Sequence, residues 1–464
     1  MDTIYQLVKF ARETKYEDIP QEAILKAKIE LADILACISA GTTANISQEV
    51  AELVTGWGGK EESTVMIMGQ KIPAHHAAFV NSLLAHARDY DDFQAEAIVH
   101  PGVSVIPTAL AVSEAVGGID GKELLRVIVV ADDIAIRMAS AIKVGIMESG
   151  WIYSSVIGHF AAALTASLLL GLNEEQTINA MGIVYSQVAG NQQAATDTAL
   201  TKRMQPAFAC RSGIFSAYLA SIGVTGAHNV LDGSYGFYKV YIHDKCDKSI
   251  LTKDLGKEFM IGRLSYKFYP FCGLTQGAIA STFKLVEDYD IKPEEVKHIE
   301  VGTSQQGIEL CAEPKETKFN PKTMVDAQFS IPFCIATILT ERKLGLKSLE
   351  PEGVANPRMR QLLPLISCHV DPDIDRDYSR GVPPEEVTIE TTRGTFTANE
   401  WWKGNPIREI TMNDTKEKFE DAMSVAMYPV KEGAVDRVVD MIGDLEALDD
   451  VTILYQLYND SFIR

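Results

Sequence analysis

The sequence predicts a mainly helical protein in two parts. A large all-helical domain spans residues 1–265, with 401–464 returning to it, and a smaller α+β lid domain spans 266–400. Three observations predict this division. Apolar residues recur at helical spacing through the first half, β-branched runs bounded by turn signals begin only near residue 298, and the tail beyond 411 goes back to helical periodicity. Strand and helix never alternate in the βαβ manner and no glycine-rich phosphate loop occurs, which argues against a dinucleotide-binding domain.

In chain order, residues 21–40 place Ile24, Ala27, Leu31, Leu35 and Ile38 on one stripe, with Lys26, Lys28 and Glu30 on other faces. Asp120 and Glu123 form a capping pair that opens a helix through Ile142. The alanine-rich run 160–170 suits close helix packing, and the apolar stretch 160–172 is too short to span a bilayer. Gly171 stops that helix, and Asn173 with Gln176 caps the next. A further apolar helix covers 207–223. The character changes across 259–267. Beyond it come a helix at 274–288, a strand at 298–304 and a helical region at 326–344 with Pro332 near its start. A hairpin then pairs 387–389 with 395–397 around 391–394. The tail holds helices at 411–427 and 432–448.

Composition narrows the function. Hydrophobic residues at 46% against 23% charged give an ordinary globular balance. A net charge of -20, from 43 basic and 63 acidic residues, argues against nucleic acid and anionic membrane as partners. An anionic small molecule would then need lysine or arginine concentrated locally. The first twenty residues carry acids and lack an apolar core, so no secretory signal is expected. Seven scattered cysteines without CxxC spacing predict neither a disulfide framework nor a structural zinc site, and the expected compartment is the cytoplasm.

Four segments combine residue types that a plain core does not need. His86-Ala87-Arg88-Asp89-Tyr90-Asp91-Asp92 leads to His100-Pro101-Gly102; Asp89 and Asp92, at i and i+3, share a helical face, and a carboxylate near His100 would raise its basicity. The same residues also read as a capped helix end with a solvated histidine. No HExxH spacing supports a metal. Lys202 and Arg203, ahead of Gln205, form a carboxylate-binding pair or two solvated cations. Lys267 stands among Tyr266, Phe268 and Tyr269, where low polarity would strengthen its pull on an anion; a lysine snorkelling from the core edge explains it as well. Cys272 beside it reads as a nucleophile or an inert thiol. Gly150-Trp151 before the alanine-rich helix suits a pocket lip or core packing.

Together these segments resemble the MmgE/PrpD family, which includes 2-methylcitrate dehydratases, cis-aconitate decarboxylases and an iminodisuccinate epimerase. The resemblance runs in order over nearly the whole chain, through HARDYDDFQAEAIVHPG, GWIYSSVIG, KRMQPAFAC, KFYPFCG, DAQFSIP and a late Asn405-Pro406. It implies a homodimer with an active site between the domains, no metal and no cofactor. By position, Asp89 and His100 match the family's acid/base residues, and Lys202 and Lys267 match cations that hold substrate carboxylates. Arg203, Asp92, Gln205, Tyr266, Cys272, Trp151 and Phe93 complete the expected substrate-binding set. The chain departs from the family pattern at Ile152, Phe93, Gln94 and Gln205, where relatives carry histidine or threonine, and at Cys272, where the decarboxylase carries histidine.

The resemblance thus implies a metal-independent acid/base enzyme acting on a small di- or tricarboxylate. Proton abstraction next to a carboxylate gives an aci-carboxylate that Lys202 and Lys267 would stabilise, with His100, oriented by Asp89, moving the proton. A hydro-lyase is expected first. An epimerase, a decarboxylase and a non-catalytic metabolite-binding protein are the alternatives.

Overall fold

A computed structural model describes the whole chain except Thr198, Ser379 and Arg380. Thr198, quoted above in the segment around Lys202, therefore lies outside the described residues. The chain is mainly helical and divides into two compact units, Met1–Leu264 with Thr411–Arg464, and Ser265–Ile410.

The first unit packs the helices Gln21–Gly41, Ala74–His86, Gly102–Ala115, Gly121–Ser140, Tyr153–Leu169 and Thr201–Ser221. Tyr153–Leu169 is buried at every position. Small residues let Thr201–Ser221 approach it so closely that a Cβ on Gly213 would lie 2.5 Å from the Ala162 Cβ. Asp120 caps its helix by accepting the Glu123 N–H at 2.8 Å. Gly171 adopts φ +66°, and Asn173 and Gln176 then form a reciprocal capping box. The Gln21–Gly41 helix differs from its expected stripe: Lys26 and Glu30 are buried with the apolar face, because neighbours enclose the helix on several sides. Among the described residues, no helix is long and apolar enough to cross a membrane, and all seven cysteines are free thiols.

The tail contributes Met412–Met423, Ala434–Gly443 and Thr452–Asp460. Thr411 caps the first of these in a box with Asp414. The last returns to the helix Gln21–Gly41, where the Tyr458 hydroxyl donates to Leu35 O at 2.7 Å.

The second unit carries a four-stranded mixed sheet in the order Ile366–Val370, Val296–Thr303, Glu385–Thr391, Thr395–Glu400. The first pair is parallel, with Ile299 opposite Ile366, and the other two pairs are antiparallel. Gln276–Tyr289 covers the two strands of the hairpin. The expected helical region 326–344 is broken into Met324–Gln328 and Ile331–Glu341, because Ser330 caps a new start (Phe333 N to Oγ, 3.0 Å) and Pro332 fits only a first turn. Residues 401–410 stay with this unit, where Gly404 O accepts the Tyr266 N–H at 2.9 Å.

Candidate active site

The helix Ala74–His86 stops at the first histidine of the acid-rich segment. Three residues later Asp89 turns into the left-handed region at φ +52°, a conformation that aspartate tolerates better than most L-residues. The helix therefore does not continue, and Asp89 and Asp92 do not share the helical face expected of them. The turn sends Asp89 and Asp91 to different partners.

Asp91 lies fully buried between two imidazoles. Its oxygens stand 3.1 and 3.0 Å from His86 Nδ1, and Oδ2 is 2.8 Å from His100 Nδ1. The second contact has an ion-pair distance, with an angle short of a well-directed hydrogen bond. The carboxylate against His100 is thus that of Asp91, whereas Asp89 Oδ2 accepts from the Lys202 ammonium at 3.2 Å. His86 Nε2 is 3.3 Å from the same ammonium. An ammonium only donates, so His86 accepts at Nε2 and carries its proton on Nδ1, facing Asp91. Burial drives the His86 pKa down to about 4, against the pull of Asp91, which agrees with a neutral ring. Burial raises the Asp91 carboxyl, but His86 and His100 outweigh it and hold it well below the usual carboxylate range. A neutral His86 donating to an ionised Asp91 satisfies both.

Lys202 sits in the first turn of Thr201–Ser221, which brings it to the loop from a separate helix. Two of its three N–H donors go to Asp89 and His86, so a third direction is left for a ligand oxygen. Its neighbour Arg203 donates to Ala87 O and is mostly buried, which lowers its pKa against the pull of Asp89 and Asp91. His100 is fixed through its backbone, whose N–H donates to Ser154 Oγ at 3.0 Å. With Nδ1 turned to Asp91, its Nε2 is the atom able to exchange a proton with a ligand.

The remaining expected residues fall in several places. Phe93 packs against His100, with ring centroids 6.2 Å apart. Gln205 lies in the same helix as Lys202 and donates to Asn191 O at 3.0 Å, leaving Oε1 buried without a hydrogen-bond donor. Trp151 donates to Tyr241 O at 3.1 Å, and its ring packs against that tyrosine at 4.8 Å, tilted by 48°. Asp92 is fully buried and accepts the Gly102 N–H at 3.3 Å. Lys267, Tyr266 and Cys272 belong to the second unit. There Lys267 is only 2% exposed, Tyr266 is fully buried, and the Cys272 N–H donates to Gln328 O at 2.9 Å.

Two groups escaped the sequence reading: His86 and Asp91. Both stood in the quoted segment, and the available signal was an imidazole five residues before an acid. His86, Asp91 and His100 each present one atom within 4.8 Å of the others, the sole such trio among the described residues. Both rings approach the carboxylate through Nδ1, His86 in a hydrogen bond and His100 at an ion-pair distance.

Behind the site, Asp92 joins Glu30 and Asp132 in a fully buried acidic cluster. A Cβ on Gly102 would lie 2.4 Å from Asp92 Oδ1 and 2.8 Å from Glu30 Oε1, so the close approach requires glycine. Burial raises all three carboxyls, Asp132 to about 7. Burial likewise raises Asp33 to about 6 and Glu385, in the second unit, to about 8. A raised carboxyl binds its proton more tightly folded than unfolded, so its stabilisation is complete below the unfolded value and is lost as pH rises through the folded one. The buried histidines His86 and His159, both near 4, act oppositely, but their contribution is complete above about 6.5. The melting temperature is therefore expected to fall from about pH 6.5 to about pH 8.5, more gently in Asp132→Asn. A flat or rising profile in thermal denaturation would mean these acids are charged in the fold.

The geometry sets a carboxylate-supported imidazole beside a lysine ammonium, groups able to move a proton and to hold an anion. The MmgE/PrpD N-terminal domain matches residues 5–248 and the C-terminal domain residues 269–442. The chain belongs to the MmgE/PrpD family. It is 24% identical to the cis-aconitate decarboxylase of Aspergillus terreus over 475 residues, covering 98% of this chain and 95% of the relative. The human cis-aconitate decarboxylase is 25% identical over 459 residues, covering 96% and 92%. A cis-aconitate decarboxylase-like protein, oryM, of Aspergillus oryzae is 26% identical over 389 residues, with 80% of each chain covered.

Proposed function

We propose that the protein is a metal-independent acid/base enzyme acting on a small unsaturated tricarboxylate, with loss of CO₂ as the first reading. The observation that carries it is the Lys202 ammonium shared by Asp89 and His86 beside the Asp91–His100 pair. One cation with a donor direction left binds a carboxylate, and one imidazole with Nε2 turned outward delivers a proton. Similarity to relatives named as cis-aconitate decarboxylases supports reading decarboxylation ahead of the hydro-lyase expected from family frequency.

The chemistry needs both parts. The bond between carbon and the departing carboxylate breaks, its electron pair passes into the neighbouring unsaturated carboxylate, and His100 supplies the proton that replaces CO₂. Lys202 offsets the negative charge while it builds, a contribution of about 2–4 kcal/mol. Within this cluster Lys202 and Arg203 only balance Asp89 and Asp91, so a multiply charged anion needs another cation. The reading gives that part to Lys267, supported by its place in the KFYPFCG segment. Lys267→Met is expected to raise KM about 10–100-fold with a smaller change in kcat. An unchanged KM in steady-state kinetics would remove it from the site.

A hydro-lyase is the second reading, favoured by Cys272 where the decarboxylase carries histidine. The deciding experiment incubates the protein with cis-aconitate, 2-methylcitrate and iminodisuccinate in D₂O and follows mass. Loss of CO₂ with one deuterium gained supports the first reading, loss of water the second, and deuterium uptake without fragment loss an epimerase. No change with any of the three would leave a metabolite-binding protein.

A further inference from the structure

We propose that the buried Lys418–Asp33 pair is a positioning device for the acid-bearing loop, holding it by its backbone so that Asp89 and Asp91 meet Lys202 and the two imidazoles. The inference rests on the acid/base reading above and deepens it.

Lys418 lies in the helix Met412–Met423 and is 2% exposed. Its ammonium donates at 2.5 Å to Asp33 Oδ1 and at 2.5 Å to Tyr90 O, and it lies 4.2 Å from the centroid of the Tyr90 ring. Asp33 turns its other oxygen to the Asp92 N–H at 3.1 Å. The pair thus grips residues 90 and 92, which bracket Asp91 and follow the left-handed Asp89. One turn beyond Lys418, Asp421 accepts the Tyr90 hydroxyl at 3.2 Å, so the same helix holds both ends of that side chain.

Energetics favour a geometric role. A buried ion pair contributes little net stability over apolar residues of the same size, because desolvation offsets the attraction. Here its contacts with the loop are directed to backbone atoms beside the two carboxylates. The turn at Asp89 occupies sparsely populated backbone space and persists only where surrounding groups fix it. A shift of about 1 Å in groups that orient a reacting centre lowers turnover about 100-fold.

The test compares Lys418→Met, Asp33→Asn and the double variant. Each single change leaves one buried group without its partner and lowers stability, whereas the double change removes both charges and recovers part of it. The positioning role predicts that kcat per folded molecule stays about 10–100-fold down in the double variant, with KM changed less than about threefold. It also predicts that the ¹⁵N spectrum of His86 loses its fixed Nδ1–H form. Asp33→Asn, isosteric with the native residue, reads the same quantities where the double variant does not fold, with kcat down about tenfold. Turnover within twofold of the native protein, with the His86 tautomer intact, would overturn the proposal. His100→Ala runs beside these variants. If it keeps full turnover the acid/base reading fails, and the His86 spectrum alone then decides the positioning role.

Discussion

His100→Ala is expected to lower kcat by about 10²–10⁴-fold while leaving KM nearly unchanged, because general acid catalysis acts on the step and not on binding. The imidazole is placed for this by two contacts: its backbone N–H on Ser154 and its Nδ1 on Asp91. Asp91→Asn belongs in the same series. A neutral amide lacks the charge that holds the ring with Nδ1 toward it, so His100 is oriented less firmly and kcat should lie between those of the native protein and His100→Ala. The measurement is a steady-state rate on whichever acid turns over in the mass-based screen. A His100→Ala protein that retains native kcat would remove His100 as the proton donor.

Lys202→Met is expected to lower kcat/KM by about 10²–10³-fold, the loss of one charged stabiliser of a developing anion. Two effects combine in that figure. The methionine gives no donor to the substrate, and it leaves less positive charge beside Asp89, whose side chain is only 7% exposed, where an anion must bind. The double variant Lys202→Met/Asp89→Asn separates them. Removing the repulsion should restore part of KM, while kcat stays low because the ammonium is still missing. Equal recovery of both would mean that Lys202 only neutralises Asp89.

Most of the helical unit was legible because its signals are local. Asp120, Gly171 and Asn173 each set a helix boundary with residues three or four positions away. The strand Ile366–Val370 was not, since its sequence ISCHV lacks alternation and its pairing with Ile299 depends on a segment more than sixty residues upstream. The site divides in the same way. Lys202, His100 and the acid-rich segment stood out by residue type, but the assignment of partners failed at Asp89. A helical count puts Asp89 and Asp92 together; one positive φ breaks the count and hands His100 to Asp91. No periodicity encodes that turn, because distant residues such as Asp33 and Lys418 hold it.

The return of the tail to the helical unit also bears on biosynthesis. The groups at 86, 89, 91, 100 and 202 are all translated more than two hundred residues before the ammonium beneath Tyr90, which arrives only with residue 418. A growing chain must therefore carry Asp33 without its counter-ion, and its acidic turn without that support, until residue 418 is made. Long-range closures of this kind slow folding and lengthen exposure of unfinished surface. Ribosome-bound chains ending before Met412 should accordingly show an open, protease-sensitive segment around residue 90 that closes once the final helices emerge.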